Sequence, residues 1–298
     1  MIADPRSKRD PRAASRQAPL PAGLYLVATP IGAADDVTLR ALDILARADA
    51  IAAEDTRRAR QLMALHGVDL VGRPVIPYHD HNGAAARPGL LARIAAGEAV
   101  ALVSDAGTPL VADPGWRLAR EAIDRGLPVT AAPGASAVLA ALSLAGLPTD
   151  RFLFAGFPPP RAAERARFLA EFAAVPATLV FYESPRRLAE ALAAMAQAYG
   201  PRPAAVCREL TKKFEEVRRG ALDALAADYA TGPEPKGEIV VVIGPPEAAP
   251  AAEADIDAAL RAAMARASVK DAAREVAEAL GAPRKAVYQR ALALQAER

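Results

Sequence analysis

The chain has 298 residues, of which 52% are hydrophobic and 24% charged, and its net charge is +2. That length supports two or three domains with substantial cores, and the composition excludes a disordered chain. The near balance of charge excludes a global basic field, and the lone Cys207 excludes an internal disulfide framework and suits a reducing cytoplasm.

In chain order, residues 1–20 come first. They hold Arg6, Lys8, Arg9, Arg12 and Arg16 against Asp4 and Asp10, and form an expected flexible basic tail. The tail has no apolar stretch and does not match a secretory signal. Ordered structure is expected from Gly23, where the apolar run Gly23–Ala28 predicts a strand ending in the loop Thr29-Pro30-Ile31-Gly32. Leu39, Leu42 and Leu45 share one face of a predicted helix over 37–48, with Asp35 or Asp36 near its N-cap. Ala50–Ala53 predicts a second strand, delivering Glu54-Asp55-Thr56-Arg57 to its end. A helix over 57–66 follows, then a strand near 74–78 and the polar turn His79-Asp80-His81-Asn82. A helix over 88–96 precedes the apolar strand Ala99–Val103.

That strand breaks into Ser104-Asp105-Ala106-Gly107-Thr108-Pro109, followed by Asp113-Pro114-Gly115. A further strand, 128–132, ends in Pro133-Gly134-Ala135-Ser136-Ala137 and opens a helix over 135–146. Residues 127–149 carry no charge, long enough to raise the question of a membrane span. Pro133-Gly134 splits the run and small residues dominate it, so a buried strand, loop and core helix are expected, with no membrane association. The strand–helix alternation predicts an α/β fold with a largely parallel sheet.

A second set of elements begins at 151. Strands are predicted at 151–156, 177–182, 204–210, 216–220 and 237–244, with helices over 161–173 and 185–199. The expected domains are 21–133 and 134–245, with a linker at 246–254 and a helical unit over 255–298. Within that unit Ser268-x-x-Asp271 matches a capping box, Gly281 closes one helix and Pro283 starts the next. Such a pattern fits a helix-turn-helix, and equally a small bundle for packing or dimerisation.

Strand ends rich in glycine and small residues mark pocket edges in α/β sheets. Neither a Gly-x-Gly-x-x-Gly after the first strand nor a Gly-x-x-x-x-Gly-Lys-Ser/Thr is present, which disfavours dinucleotides and P-loop nucleotides. The three histidines leave little for a metal cluster, and His79-x-His81 fits no zinc spacing, so no metal is expected. Arg57, Arg186, Arg208 and Lys212 stand near strand ends, where a phosphate backbone could lie. The single Trp116 is expected to pack rather than to read bases.

Nine segments, taken together, are familiar: 27–32, 54–57, 78–82, 104–109, 113–115, 133–137, Tyr182-Glu183-Ser184-Pro185-Arg186, Arg208-Glu209-Leu210-Thr211-Lys212 and Lys236-Gly237-Glu238. In this order and spacing they resemble the tetrapyrrole methylase family, and within it the enzymes that methylate a cytidine ribose of 16S ribosomal RNA. Two departures stand out. Ala33-Ala34 replaces the usual Asn-Leu, and His-Asp-His-Asn replaces His-Glu-His-Asn.

The resemblance implies two α/β domains of the class III methyltransferase type with a cofactor cleft between them, plus a small all-helical C-terminal domain. It implies S-adenosylmethionine as cofactor, 16S rRNA or the small ribosomal subunit as partner, a homodimer and a cytoplasmic setting. Carried onto this sequence, the cofactor residues are Pro30, Gly32, Gly107, Thr108, Val111, Ser136, Ala137, Tyr182, Leu210 and Glu238. Arg57, His79, His81, Asn82, Arg186, Arg208, Lys212, Arg284 and Lys285 are the expected RNA contacts. Attack by a ribose hydroxyl calls for a base. The candidates are Asp55 and Glu183, ranked ahead because strands hold them at an edge, then Glu54 and Asp80. Two alternatives stay open: a methyltransferase for a small tetrapyrrole-type substrate, and a non-enzymatic RNA-binding protein on the same fold.

Overall fold

The computed structural model describes residues 18–112, 115–247 and 253–296. Most of the basic tail, Asp113-Pro114 and linker residues 248–252 lie outside the described residues.

The first unit runs β1 (Gly23–Val27), α1 (Leu39–Arg47), β2 (Ala50–Ala53), α2 (Thr56–Leu65), β3 (Val75–Pro77), α3 (Gly83–Ala95), β4 (Ala99–Val103), α4 (Trp116–Asp124) and β5 (Val129–Ala132). Its five strands are all parallel, in the order β3-β2-β4-β1-β5. Every residue of β2 and β4 is buried, which explains their unbroken apolar runs: a parallel strand is covered on both faces. One cover is α1 and α2, whose Ile44, Leu45 and Met63 pack on Val27 and Ile51. The other is α3 and α4, whose Leu90, Leu91 and Leu118 pack on Leu24 and Leu102.

Two of the boundaries that differ from expectation have a plain physical cause. The N-cap of α1 is Thr38, whose hydroxyl accepts from the Ala41 amide at 3.1 Å, because Asp35 and Asp36 are taken up in a 3-10 turn over Ala34–Asp36. Helix α3 begins at Gly83, not 88. Gly83 packs against the buried Tyr78 ring, and its amide donates to the His79 carbonyl at 2.8 Å, so the chain turns helical directly after the polar turn. Pro88 then removes one donor inside the helix without ending it.

Helix α5 (Ala137–Ala145) follows β5 but packs on the second sheet. The second unit contains β6 (Phe152–Gly156), α6 (Ala162–Ala170), β7 (Thr178–Glu183), α7 (Leu188–Tyr199), β8 (Pro203–Arg208), β9 (Glu216–Ala221), α8 (Leu222–Thr231) and β10 (Ile239–Ile243). The sheet order is β6-β7-β10-β8-β9, and only β6–β7 is parallel. The parallel expectation therefore holds for the first sheet alone. A short connection, residues 209–215, is too brief for a crossover and forces β8 and β9 antiparallel. Because β10 runs against both β7 and β8, its start lies beside their ends, with Ile239 opposite Glu183 and Arg208.

Helix α8 is an element beyond those expected. Its signal is Leu222, Leu225 and Ala226, all buried at helical spacing. Helices α6, α7 and α8 cover one face of this sheet around Phe181 and Met195. On the other face Val138, Ala141 and Leu142 of α5 meet Val180, Cys207 and Val240.

The C-terminal unit is α9 (Glu253–Met264), α10 (Val269–Leu280) and α11 (Arg284–Ala296), packed around Leu260, Val276 and Val287. The Ser268 hydroxyl caps α10 by accepting from the Asp271 amide at 3.2 Å, and Gly281 ends it at φ 62°. Pro283 sits one residue before α11 rather than in its first position, its carbonyl accepting from the Val287 amide. No helix among the described residues is long and apolar enough to cross a membrane.

Candidate active site

The ends of the strands converge on one cavity of 350 Å³, walled by loops of the first unit and strand ends of the second. That volume falls in the range of about 300–1,000 Å³ typical of small-molecule sites. Of the ten expected cofactor residues, Gly107, Thr108, Val111, Ser136, Ala137, Tyr182, Leu210 and Glu238 line it. Pro30 and Gly32 do not; they face a second cavity of 280 Å³ on the other side of their loop.

The walls are mainly apolar, with Ile31, Val111, Leu210, Ile239 and Val240 among them. Polar groups are few and placed. The Thr108 hydroxyl donates to the Ala135 carbonyl at 3.0 Å, tying the β4 loop to the β5 loop. Ser136 holds the N-cap position of α5 without capping it, so its hydroxyl is left to the cavity. The first amides of that helix lack intrahelical partners and favour a carboxylate or another anionic group. Phe157, 55% exposed, forms the mouth and packs edge-on against Tyr182 at 5.4 Å.

Backbone strain gathers here. Five described non-glycine residues adopt a left-handed conformation. Four of them, Leu110, Ala112, Glu209 and Thr211, belong to the two loops beside the cavity. Each such residue costs on the order of 1–3 kcal/mol, a strain that persists only where surrounding structure holds it. The junction around residue 32 is such a place. The Ala33 amide donates to the Thr211 hydroxyl at 3.0 Å, and a side chain at Gly32 would collide with Thr211 and Lys212. Gly237, at φ 97°, likewise leaves no room for a side chain beside the Glu209 carboxylate.

Lys212, expected at an RNA phosphate, is engaged inside the protein. Its Nζ donates to Glu209 at 2.8 Å and to Glu238 at 2.9 Å. Burial works against its charge, but these two carboxylates hold its pKa above the ordinary lysine value. The lysine thus ties the loop after β8 to Glu238 on the cavity wall. Arg208 is similarly occupied by Glu216 at 3.0 Å.

The four acids separate sharply. Glu183 lines the cavity with its side chain fully buried, yet both oxygens are taken. Arg187 bonds them through Nε and Nη2 at 2.9 Å each, and the Ser184 amide donates at 2.7 Å. Asp55 is the N-cap of α2; it accepts from the Arg57 amide at 2.8 Å and pairs with the Arg57 guanidinium at 2.9 Å. The Arg57 contacts hold its pKa down to about 2. Glu54, one residue earlier, is the opposite case. Burial raises its pKa, and the nearby carboxylates of Asp105 and Asp80 raise it further, against smaller opposing effects of His79 and Arg58. Asp105 also braces the sheet edge, accepting from the Asp55 amide at 2.9 Å.

The polar turn is partly structural. Asn82 accepts from the His79 amide and donates to the Pro77 carbonyl, both at 2.8 Å, so its amide closes the turn. His79 and His81 stack edge-to-face at 6.0 Å. Arg57, 88% exposed in its side chain, and Arg186 face solvent, as do Arg284 and Lys285 on α11. Trp116 does not pack: it is 60% exposed, with the Arg117 guanidinium 5.4 Å from its ring centre. Among the described residues no group of three or more histidine, cysteine or acidic side chains is arranged for a metal ion.

Sequence reasoning missed Phe157, Ser184, Pro185, Ile239 and Val240 as cavity residues. The antiparallel return of β10 brings the last two there, and no local pattern announces that pairing.

Residues 23–226 match the family Tetrapyrrole (Corrin/Porphyrin) Methylases, and residues 250–295 match the RsmI C-terminal HTH domain. A Mesorhizobium japonicum protein named Ribosomal RNA small subunit methyltransferase I is 53% identical over 93% of this chain and 94% of its own length. One of the same name from Erythrobacter litoralis is 49% identical over 93% of this chain and 97% of its own. Among solved structures, a diphthine synthase superposes with a TM-score of 0.59 at 17% identity, covering 74% of this chain and 89% of its own. A cobalt precorrin-4 methyltransferase of cobalamin biosynthesis gives 0.56 at 18% identity, covering 74% and 94%. At these identities both show a shared fold.

Proposed function

The chain belongs to the tetrapyrrole (corrin/porphyrin) methylases, and from that premise we propose that it transfers the methyl group of S-adenosylmethionine to small-subunit ribosomal RNA, at the ribose 2′-hydroxyl of a cytidine in the 16S molecule. The observation that carries this reading is the 350 Å³ cavity shared by both sheets, with eight of the ten expected cofactor residues in its wall. The substrate follows the name of the relatives that match along nearly the whole chain.

The residues present fit the cofactor. The apolar walls suit a poorly solvated sulfonium and an adenine ring, the Ser136 hydroxyl and the α5 amides suit a carboxylate, and Glu238 suits ribose hydroxyls. When bound, S-adenosylmethionine supplies an electrophilic methyl group. The protein aligns the attacking hydroxyl and excludes water around it. Of the four candidate bases, Glu183 and Asp55 have their carboxylates tied to Arg187 and Arg57, which leaves Glu54 and Asp80 as candidates to receive the hydroxyl proton, and burial with nearby carboxylates raises the pKa of Glu54. Glu183 shapes the wall through Arg187. Arg57 and Arg186 meet RNA phosphates, and the C-terminal helices add Arg284 and Lys285. The protein acts as a homodimer in the cytoplasm, as its family and substrate imply.

A single experiment tests the reading. Small-subunit rRNA from cells lacking this gene is incubated with the purified protein and S-adenosylmethionine, then mapped by mass spectrometry. One new 2′-O-methylcytidine is the expected product. Unmodified rRNA alongside methylation of a small tetrapyrrole would replace this reading with the alternative substrate. Failure to bind the cofactor in calorimetry would leave a non-enzymatic RNA-binding protein.

A further inference from the structure

The 280 Å³ cavity beside the cofactor site has no occupant in anything described so far. The two cavities share their walls residue by residue. In the loop after β1, Ile31 faces the cofactor cavity while Pro30 and Gly32 face the other. In the loop after β4, Ala106 and Gly107 face the first, and Ser104 and Asp105 the second. A partition two loops wide separates them. It is pinned where Thr29 and Gly107 exchange backbone hydrogen bonds of 2.9 and 3.0 Å.

The far wall of the second cavity is α2, and its chemistry is mixed in a specific way. Leu62 and Leu65 offer an apolar surface, and Leu65 is 65% exposed although it belongs to a cavity wall. Gln61 adds an exposed amide, able to donate and accept at once. Arg58 adds a cation 61% exposed, held only loosely by Asp105 at 3.5 Å. A flat apolar ring with hydrogen-bonding edges, attached to a phosphate, satisfies all three.

We propose that this cavity is a nucleotide subsite: it receives the nucleotide next to the one methylated, its base on Leu62 and Leu65 with its edge at Gln61, and its phosphate at Arg58. The proposal rests on the RNA-methylating reading above. If a ribose is presented at the first cavity, a neighbouring nucleotide of the same strand needs a place beside it, and the shared partition supplies one. The subsite also explains why Pro30 and Gly32, expected at the cofactor, turn away from it.

The test uses the full chain with the double variant Gln61→Ala/Leu65→Ala, both exposed positions on the cavity-facing side of α2. The expected result is a KM for the rRNA substrate raised about tenfold, equivalent to about 1.4 kcal/mol, with the dissociation constant of S-adenosylmethionine within twofold of wild type. Arg58→Gln is expected to flatten the salt dependence of RNA affinity by roughly 0.7 in log–log slope, the loss of one phosphate contact on a single strand. An unchanged KM for RNA in the double variant, or a change confined to kcat or to cofactor affinity, overturns the subsite. Wild-type protein that binds cofactor but methylates no rRNA overturns the proposed function and the subsite with it. Methylation by the wild type with an indifferent double variant overturns the subsite alone.

Discussion

At the edge of the first sheet burial raises the pKa of Glu54, and the neighbouring carboxylates of Asp105 and Asp80 raise it further. At the edge of the second sheet Glu183 faces Arg187, Glu216 faces Arg208, and Glu209 and Glu238 share Lys212. Both edges present the same signature in sequence, an acid at a strand end followed by a cation: Glu54-Asp55-Thr56-Arg57 and Glu183-Ser184-Pro185-Arg186-Arg187. The difference lies in partners from elsewhere in the fold. Paired charges hold a wall in place; crowded like charges keep a proton exchangeable.

The largest effect that would test this contrast is on stability. Glu183→Gln leaves Arg187 without its anion and is expected to cost about 3 kcal/mol, read from urea unfolding. An unfolding midpoint equal to that of the wild type would break the contrast at the second sheet. Next comes catalysis at the first. Glu54→Gln is expected to lower the methyl-transfer rate about 100-fold while leaving the unfolding midpoint in place. Full activity would remove Glu54 from the mechanism. Asp55→Ala, by contrast, removes the N-cap acceptor of α2, a carboxylate ionised far below neutral pH, so its loss should appear in the unfolding midpoint before it appears in rate.

A smaller change is expected at the junction. Lys212→Met frees Glu238 and the loop after β8, so the dissociation constant of S-adenosylmethionine should rise about tenfold in calorimetry. If RNA affinity falls and cofactor affinity does not, Lys212 serves the phosphate backbone after all. The finest test is the pH profile. A base must be deprotonated to act, so the acid limb of kcat/KM is expected at a higher pH than an ordinary glutamate would give. Asp80→Asn removes one of the negative neighbours that raise the Glu54 pKa. The limb should then move to lower pH, and a limb that stays in place points to another base.

Much of this edge was readable in the chain. Ala50–Ala53 and Ala99–Val103 are apolar runs bounded by polar and glycine-rich loops, and both form where expected because burial on two faces leaves no other reading. Thr108, Val111, Ser136 and Ala137, which the resemblance assigned to the cofactor, all line the 350 Å³ cavity. The ranking of the acids was not reachable in that way. Asp55 looked well placed at its strand end, but its carboxylate caps α2 and binds Arg57. Lys212 looked free, and two carboxylates claim it, one of them 26 residues away.

By itself the sequence determined the alternation of strands and helices, the glycine-rich loops at the strand ends and the capped C-terminal helices. These follow from hydrophobic period, turn chemistry and neighbours a few residues apart. The tertiary structure alone decided the antiparallel second sheet, the cavity residues on β10, the division of two loops between two cavities, and which acids are tied to an arginine. Those outcomes depend on long-range pairings and on the charges that pairing brings within reach, and Coulomb and desolvation energies are set by distance in space rather than along the chain.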